Sequence, residues 1–413
     1  MNVLLINHSD LLGGASIASL RLTEALRRQG FDAHLLVGNK RSEHNFVHQL
    51  GQPLRRRAAF LAERAKVILQ NGLNRATLFK IDAATNGINI ASHPLVRQAD
   101  IIVLNWVNQG MLSLKSIRQL AESGKPIVWT MHDMWNCTGI CHYAHECTAY
   151  RGACAPCPII GRDYTHLATR TQRRKASLYQ AAPITFVAVS QWLRECCNSS
   201  SLMRNIPVEV ISNPCPSDNF EYTRLPGDRD HIVMVMGAAR LDDPVKGFDI
   251  LLETMTHIRH NHPQLADRLH LLLYGDIRDR CLLDRIDVGH TYLGYIDNIN
   301  EVFRKADIVL SMARYESFGY TIAEGMASGC LPVVAGRGGQ VDIVDHLANG
   351  YICASTAPAD VAQAIIWAAD HIENNGGHPI NRAELHRHIA ERFHPDVIAG
   401  QYAGLFSRLL SSR

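Results

Sequence analysis

Apolar runs of strand length alternate with helical stripes through the first half of the chain. Residues 3–6, VLLI, predict a buried strand, and after a turn at Gly13 and Gly14 a helix begins near Ala15 and ends at Gly30. The apolar side chains of this helix share one face: Ala18, Leu22, Ala25 and Leu26. A second strand, AHLLVG, completes a βαβ unit. Further runs at DIIVLNW, PIVWTMH and ITFVAVS predict a parallel sheet covered on both faces.

The same alternation restarts after PVEVISNPCPSDNFEYTRLPGD, a stretch in which Pro and polar residues cluster. Strand runs follow at HIVMVMG, LHLLLYG, ADIVLSM, LPVVAG and GYIC. We therefore predict an α/β protein of two doubly wound domains, 1–212 and 213–390, with a C-terminal helix at 391–413 that packs back on the first. Ligands of open α/β sheets bind beyond the carboxyl ends of the strands, so the predicted site is a cleft between two facing sheets.

Composition and charge exclude several classes of function. The 413 residues are 46% hydrophobic and 20% charged, which are values of a folded globular protein. No run approaches the roughly 18 apolar residues that a transmembrane helix needs, and residues 3–6 are too short for a signal-peptide core, so we expect a cytoplasmic protein. A net charge of +3 is too small to predict binding to nucleic acid.

Basic residues concentrate between Leu54 and Lys80, where seven of them accompany one acidic residue. The same segment carries apolar residues such as Phe60, Leu61 and Val67. Two interpretations stay open. The segment is either a basic amphipathic helix in peripheral contact with anionic lipid head groups, or a solvated helix face without a partner.

Two cations in the second half are placed to hold an anionic ligand. Arg240 and Lys246, in GAARLDDPVKG, follow a strand, so both lie on the loop at the carboxyl edge of the sheet. A guanidinium offers a flat fork for phosphate oxygens and an ammonium offers a point charge. Exposed basic residues near a strand end are more often only solvated, so this pattern alone leaves both interpretations open.

Two glutamates flank the next helix start. In SMARYESFGYTIAEGMASGCLPVV a strand runs into Glu316, and a helix starts near Tyr320 after a short turn. The amides at this start, from Gly319 to Thr321, would face a phosphate. Glu324, one turn into the helix, can accept hydrogen bonds from the paired hydroxyls of a ribose. The simpler alternative is an ordinary helix whose acidic residues stabilise its positive end.

These motifs resemble family 4 of the retaining glycosyltransferases, which has the GT-B fold of two Rossmann-like domains facing each other across a cleft. The similarity rests on GAARLDDPVKG, on the spacing of Glu316 and Glu324, and on GGQVDIVDHLANGYI. The resemblance implies a nucleotide-diphosphate sugar donor with Arg240 and Lys246 on its phosphates. It also implies Glu316 near the sugar and phosphates, and Glu324 on the ribose. Asp342 stands where the family commonly has Glu. The other donor contacts that it implies are Phe318, Gly319, Tyr320 and Thr321.

The first half resembles a subgroup of that family that builds bacterial exopolysaccharides, such as colanic acid, and O-antigens. The similarity runs through HPLVRQADIIVLNWVNQGMLSLKSI and GKPIVWTMHDMWNCTGICHY. It implies that Gly13 and Gly14 let the backbone approach the donor and that His132 lies against the transferred sugar. The implied acceptor is a lipid-linked saccharide at the inner face of the cytoplasmic membrane. Catalysis would need no metal cofactor, because Arg240, Lys246 and helix amides stabilise the leaving diphosphate. Without the resemblance, a lone histidine after a strand is more often structural.

The stretch HDMWNCTGICHYAHECTAYRGACAPCP holds five of the eleven cysteines of the chain. We interpret it as an insertion that is too polar to fold by burial alone and is held together by a structural zinc. Two thiolates from one tight turn fit adjacent positions of a tetrahedral site. The predicted ligands are Cys141, Cys147, Cys154 and Cys157. Plain thiols are the alternative, because the irregular spacing falls short of a paired CxxC array.

Three functions therefore stay open. The first is transfer of a sugar from a nucleotide donor to a growing saccharide. The second is a nucleotide-sugar epimerase, or a sucrose- or trehalose-type synthase, of the same fold. The third is a zinc-stabilised protein that binds a nucleotide without turnover. The sequence favours an enzyme over this third function, because all four charged residues of the predicted donor site are present: Arg240, Lys246, Glu316 and Glu324.

Overall fold

A computed structural model describes residues 1–160, 166–225, 230–373 and 381–411. The chain divides into two compact units. Residues 1–214 and the C-terminal residues from Ile398 onward form the first unit, and Cys215–Val397 forms the second. The predicted boundary lies two residues before the observed one. The C-terminal segment that joins the first unit begins at Ile398 rather than at 391.

The first unit is built on a sheet of seven strands in the order β3-β2-β1-β4-β5-β6-β7, and each neighbouring pair is parallel. Its central strands are buried on both faces, which is why they are continuous apolar runs rather than alternating ones. The strands are β1 (Asn2–Ser9), β2 (Asp32–Asn39), β3 (Val47–Gln49), β4 (Ile101–Leu104), β5 (Ile127–Met131), β6 (Ile184–Ala188) and β7 (Val208–Val210).

Helices cover this sheet. The helices are α1 (Gly14–Arg28), α2 (Pro53–Gln70), α3 (Pro94–Gln98), α4 (Leu114–Ala121), α5 (Leu167–Ala181) and α6 (Gln191–Ser199). The first of them follows the apolar pattern of the sequence, because Ala18, Leu22, Ala25 and Leu26 are all buried. It ends at Arg28, just before the predicted stop at Gly30.

The second unit has a sheet of six parallel strands in the order β10-β9-β8-β11-β12-β13. The strands are β8 (Ile232–Arg240), β9 (Leu269–Asp276), β10 (Gly289–Gly294), β11 (Ile308–Ser311), β12 (Leu331–Ala335) and β13 (Tyr351–Cys353). The helices are α7 (Phe248–Asn261), α8 (Pro263–Ala266), α9 (Ile299–Lys305), α10 (Tyr320–Ala327), α11 (Pro358–Glu373) and α12 (Arg382–Phe393).

The last helix, α13 (Pro395–Ser411), completes the core of the first unit. Tyr402 and Phe406 are buried in one apolar cluster with Leu5 and Val103 of the sheet. The hydroxyls of Thr130 and Tyr402 lie 2.8 Å apart, which gives the buried phenol a hydrogen-bond partner. Full burial of one large apolar side chain contributes about 1.5–3 kcal/mol, so α13 stabilises the unit to which it returns.

Both sheets reverse their strand order beside the first strand of the unit. In the first unit β1 lies between β2 and β4, and in the second β8 lies between β9 and β11. Ligands of open α/β sheets bind outside the carboxyl ends of the strands at such points. The loop with Gly13 follows β1, and Arg240 ends β8. The α/β class with two doubly wound parallel sheets, predicted from the sequence, is confirmed.

Candidate functional site

The loop that leaves β8 carries both predicted cations. Arg240 is the last residue of the strand, and Lys246 ends a 3-10 turn at Pro244–Lys246. Asp243 fixes this turn, because its side chain accepts a hydrogen bond from the Val245 amide over 3.1 Å. Gly247 follows with a φ of 71°, and an added Cβ there would lie 2.0 Å from the Met312 carbonyl oxygen. A glycine is therefore needed for the loop to pack against the end of β11.

This packing brings Lys246 to Glu316. The ammonium Nζ donates to Glu316 Oε2 over 2.8 Å. The charge of Glu316 raises the pKa of the Lys246 ammonium. Burial of Glu316 acts to raise the pKa of its carboxyl, but the Lys246 charge and hydrogen bond outweigh burial, so that pKa lies below its usual value. Both groups are therefore charged at neutral pH.

Arg240 lies between two acidic residues, and part of its guanidinium remains able to donate hydrogen bonds to a ligand. Its Nε lies 3.3 Å from Asp242 Oδ1, and its Nη2 lies 3.3 Å from Asp243 Oδ2. The first contact lacks hydrogen-bond geometry, since Nε is buried and has no hydrogen-bond partner among the described residues. The side chain is 32% exposed, so an anion can still reach the guanidinium.

The helix α10 starts directly after Glu316. Gly319 precedes its first residue with a φ of 112°, and the Gly319 carbonyl accepts from the amides of Ile322 and Ala323. The amides at such a helix start lack partners within the helix and carry positive partial charge. Phe318 is 3% exposed, and its ring packs against Tyr320 and against Phe393 of α12. The predicted contact at Phe318 is thus limited to its backbone.

Glu324 lies one turn into α10, beside a tyrosine that the sequence did not single out. Burial raises the pKa of the Tyr274 phenol, the charge of Glu324 raises it further, and a hydrogen bond with Thr321 lowers it. Tyr274 belongs to β9, and its ring lies over Gly237 of β8, where an added Cβ would be 1.8 Å from Cζ. Tyr274 therefore connects the start of α10 to β8, beside which the strand order of the sheet reverses.

Two further side chains position the site. Arg314 donates to both carboxylate oxygens of Asp249, over 2.8 and 2.6 Å, and to the Pro244 carbonyl over 2.8 Å. It thereby fixes the turn that carries Lys246. Gln340 is fully buried; its Oε1 accepts from Ser311 Oγ over 2.6 Å and its Nε2 donates to the Ala335 carbonyl over 2.9 Å. Sequence reasoning missed both, because Asp249 is 65 residues from Arg314 and Ser311 is 29 residues from Gln340.

The glycine loop and the histidine lie in the first unit. Gly13 precedes α1 with a φ of 83°, and an added Cβ there would meet nothing within 4 Å, so there is open space beside Gly13. His132 follows β5, and its Nε2 donates to Asn105 Oδ1 over 3.0 Å. Burial lowers the pKa of His132 to about 4, although the charge of Asp133 acts to raise it. The imidazole is therefore neutral at neutral pH.

The predicted zinc site at Cys141, Cys147, Cys154 and Cys157 lacks a ligand geometry. Cys141 is hydrogen-bonded to Cys157, and this contact and burial raise the pKa of the Cys141 thiol well above its usual value. The Gly139 amide donates to Cys154 Sγ over 3.2 Å. Within the described residues, which include all four cysteines, no group of three or more Cys, His, Asp or Glu side chains is arranged to hold a metal ion. Tetrahedral zinc needs four ligands within about 2.0–2.3 Å of one point, so structural zinc at these cysteines stays a prediction.

The interpretation of this stretch as too polar to fold by burial does not apply to its first part, whereas many residues from Tyr143 to Pro158 are exposed or half-buried. Residues 133–142 are all buried, with Trp135 and Cys137 at most 1% exposed. Lys175 of α5 is fully buried beneath them; its ammonium donates to the carbonyls of Trp135 and Thr138 and lies 3.3 Å from the centroid of the Trp135 ring. Burial lowers the pKa of Lys175 to about 7. Hydrogen bonds to a buried amine thus hold the segment together.

The helix α2 carries most of the basic segment, and one of its faces is anchored. Arg64, counted from the sequence among the basic residues of a surface helix, is buried and forms an ion pair with Asp82. Glu63 is fully buried beside it and accepts hydrogen bonds over 2.9–3.1 Å from three backbone amides: Ala83, Thr85 and Asn86. Among the described helices, α2 included, none is both long enough and apolar enough to span a bilayer.

Residues 230–371 match the family model of the glycosyl transferases group 1. This range contains the candidate donor-site residues of the second unit, from Arg240 to Gln340, and not Gly13, Gly14 or His132 of the first.

Two curated proteins with similar sequences are named as glycosyltransferases. Over 212 residues the chain is 24% identical to WcaC, a glycosyl transferase of Escherichia coli named for colanic acid biosynthesis, with 48% of this chain and 51% of that protein covered. Over 209 residues it is 27% identical to an uncharacterized glycosyltransferase of Methanocaldococcus jannaschii, with the same two coverages of 48% and 51%. The chain thus spans about half the length of the curated relatives that it matches.

Solved structures match the chain over nearly its whole length. HepE of Anabaena, in complex with UDP and glucose, superposes with a TM-score of 0.63 at 18% identity and covers 98% of this chain and 99% of its own. Sucrose-phosphate synthase of Thermosynechococcus elongatus gives 0.64 at 17% identity, with 100% and 99% covered. The chain has the GT-B fold.

Proposed function

We propose that this protein is a retaining glycosyltransferase that moves a hexosyl group from a nucleotide-diphosphate sugar to a growing, lipid-linked saccharide in bacterial surface polysaccharide biosynthesis. The observation that carries the proposal is the pair of Lys246 and Glu316 at the switch point of the second sheet, 2.8 Å apart and immediately before α10. Two charged groups and a helix start at one strand edge suit a diphosphate and the sugar attached to it.

Each charge has a place in the proposed reaction. The ammonium of Lys246, the guanidinium of Arg240 and the start of α10 stabilise the negative charge that grows on the leaving diphosphate, in place of a metal ion. Glu316, kept ionised by Lys246, stabilises positive charge on the sugar ring. Glu324 accepts hydrogen bonds from the ribose hydroxyls, and its charge acts on the buried Tyr274 phenol.

Retention follows if the acceptor attacks from the face that the diphosphate leaves. The bond from the anomeric carbon to the phosphate oxygen breaks, and a bond from that carbon to the acceptor oxygen forms. The proton of the acceptor hydroxyl passes to the departing phosphate oxygen, so no enzymic nucleophile is needed. In this proposal neutral His132 hydrogen-bonds to the transferred sugar, and the backbone at Gly13 and Gly14 approaches the donor.

The names of related proteins support this donor and pathway. HepE was solved with UDP and glucose, which makes a UDP-sugar the first donor to try. WcaC is named for colanic acid biosynthesis, which fits a surface polysaccharide made at the inner face of the cytoplasmic membrane. A synthase that acts on a small soluble acceptor is the second candidate, favoured by the likeness to sucrose-phosphate synthase. Analysis of the product separates the two functions.

A panel of nucleotides and nucleotide sugars tests the donor assignment. A ligand at about 100 times its dissociation constant should stabilise the protein by about 2.7 kcal/mol, measured as a rise in the thermal unfolding midpoint. We expect one nucleoside diphosphate and its sugar to give the largest rise, and the matching monophosphate a smaller one. No rise with any nucleotide would contradict the proposed function.

We also propose that α2 contacts an anionic phospholipid bilayer. Leu54, Leu61 and Leu69 are 82%, 54% and 72% exposed, and their spacings of seven and eight residues put them on one face of the helix. Arg55 and Arg57 are exposed in the same first turn. An apolar stripe with basic residues beside it complements an anionic lipid surface.

Replacing Leu61 and Leu69 by glutamate is expected to weaken vesicle binding at least about tenfold, because two leucines leave the lipid and two carboxylates meet anionic head groups. The measurement is co-sedimentation with vesicles of phosphatidylglycerol and phosphatidylethanolamine. Leu347→Glu, at a leucine that is 49% exposed in the second unit, is the matched control. Equal binding of all three proteins would refute the lipid contact.

A further inference from the structure

A pocket of about 260 Å³ lies within the first unit, at the carboxyl ends of β1 and β2. His8 of β1 lines it, as do the first turns of α2 and the loop after β4 at residues 109–111. Pockets that hold drug-sized molecules measure about 300–1,000 Å³, so this one suits a single small group rather than a whole saccharide. None of the activities discussed above assigns it a ligand.

The pocket favours an anion. Arg56 and Arg57 line it from α2, and none of its lining residues, all of which are described, is acidic. Arg56 Nε is buried without a hydrogen-bond partner in the described part of the chain. Three buried acids of the first unit are already engaged, since Asp82 pairs with Arg64, Glu63 bonds to backbone amides, and Asp10 accepts from the amides of Arg41 and Ser42. A buried donor left unpaired carries a desolvation penalty that a ligand oxygen removes.

His8 contributes a second polar atom to the pocket, and this atom accepts a hydrogen bond whereas Arg56 donates one. Burial lowers the pKa of its imidazole, although a hydrogen bond with the Asn108 backbone acts to raise it. The other ring nitrogen, Nδ1, is buried and has no partner among the described residues. A neutral imidazole that donates through one nitrogen accepts through the other, so Nδ1 can accept a hydrogen bond from a hydroxyl group.

The walls of the pocket are fixed before any ligand arrives. Gly110 has a φ of 80°, and an added Cβ there would lie 2.6 Å from the Phe60 amide nitrogen, so the glycine lets α2 come close to the loop after β4. The buried pair of Arg64 and Asp82 holds the same helix from its inner face. A preformed site loses less conformational entropy on binding than a mobile one.

We propose that this pocket binds the phosphate of a phosphate-linked sugar, which is the end of the acceptor nearest its lipid. Arg56 and Arg57 bind the phosphate oxygens, and His8 accepts from a hydroxyl of the adjoining sugar. Leu54 of the same helix is 82% exposed, within one turn of Arg56 and Arg57, so a lipid attached to the phosphate can continue along the apolar face of α2. The inference rests on the proposed function and names the chemical class of its acceptor.

Calorimetric titration with inorganic pyrophosphate tests the pocket. The protein used is the full chain with Lys246→Met, in which the donor site holds phosphate less well. We expect Arg56→Gln in this background to weaken pyrophosphate binding at least about tenfold, and Arg57→Gln about threefold, since charge-assisted hydrogen bonds to phosphate are lost. Arg55→Gln is the matched control, because this exposed neighbour does not line the pocket.

Unchanged affinity in Arg56→Gln would overturn the proposal, as would an equal loss in Arg55→Gln. If Arg56→Gln fails to fold, which its thermal unfolding midpoint shows, Arg57→Gln decides the outcome alone. The proposed function is judged separately by the nucleotide panel, whose response Arg56→Gln should leave unchanged. In a transfer assay with a phosphate-linked acceptor, Arg56→Gln should raise the KM for the acceptor and not the KM for the donor.

Discussion

Replacing Lys246 by methionine is expected to lower donor turnover at least about 100-fold, which corresponds to about 2.7 kcal/mol of transition-state stabilisation. The ammonium donates a hydrogen bond to Glu316 over 2.8 Å. Its loss removes a positive charge from the leaving diphosphate. It also leaves Glu316 without the partner that lowers its pKa. The measurement is release of nucleoside diphosphate from the nucleotide sugar that the panel identifies.

Two further variants test whether Lys246 acts on the phosphates or only neutralises Glu316. Lys305→Met, at an exposed lysine that ends α9, should retain full turnover. In the double variant Lys246→Met with Glu316→Gln, no buried carboxylate is left unpaired. Turnover should nevertheless stay low, because the phosphates still lack their cation. Recovery in the double variant would mean that Lys246 only neutralises Glu316, and a loss of less than about threefold in Lys246→Met would remove it from the site altogether.

Replacing Arg64 by methionine is expected to lower the free energy of unfolding of the first unit by about 3–5 kcal/mol. Arg64 forms an ion pair with Asp82, which is fully buried beside Glu63. Burial, and then the neighbouring charge of Glu63, raise the pKa of Asp82, while Arg64 lowers it. Without the guanidinium two carboxylates would face each other away from water. The measurement is urea denaturation followed by tryptophan fluorescence, because four of the five tryptophans belong to the first unit.

Arg55→Met serves as the control for this result, since an exposed substitution should change stability by no more than about 0.5 kcal/mol. Adding Asp82→Asn to Arg64→Met should recover part of the loss, because the unpaired charge is then removed. A loss below about 1 kcal/mol in Arg64→Met would show that the buried pair does not anchor α2.

The fold could be predicted from the sequence because its strands are buried on both faces. Runs such as IIVL in β4 and LPVVA in β12 are apolar throughout, and helices with apolar stripes separate them. This pattern is typical of a doubly wound parallel sheet. The start of the C-terminal segment that joins the first unit was predicted less accurately, at 391 instead of Ile398. The helix was correctly predicted to pack on the first unit, but its apolar pattern does not show that residues 391–397 still belong to the second.

Local spacing singled out the charged residues of the candidate donor site and could not predict which side chains hold them. Arg240 and Lys246 lie on one short loop, and Glu316 precedes a recognisable helix start. Arg314 and its partner Asp249 are 65 residues apart, so only the fold brings them together. The role of Tyr274 likewise depends on the contact between β9 and α10.

The interpretation of residues 132–158 as too polar to fold by burial missed distant partners for a related reason, and the structural zinc itself stays a prediction. Residues 133–142, the first part of that stretch, are all buried although several of them are polar. Their partners are distant in sequence: Lys175 bonds to the Trp135 carbonyl from 40 residues away. A buried amine satisfies the carbonyls of the segment, and composition gives no sign of it.

A thermodynamic cycle between Lys246 and the β-phosphate of the ligand tests the central claim most directly. Calorimetry would compare a nucleoside diphosphate with its monophosphate on the wild-type protein and on Lys246→Met. If Lys246 binds the diphosphate, losing the β-phosphate should weaken binding at least about tenfold in the wild type and less than about threefold in the variant. An equal loss of affinity in both proteins would contradict the proposal that Lys246 binds the diphosphate.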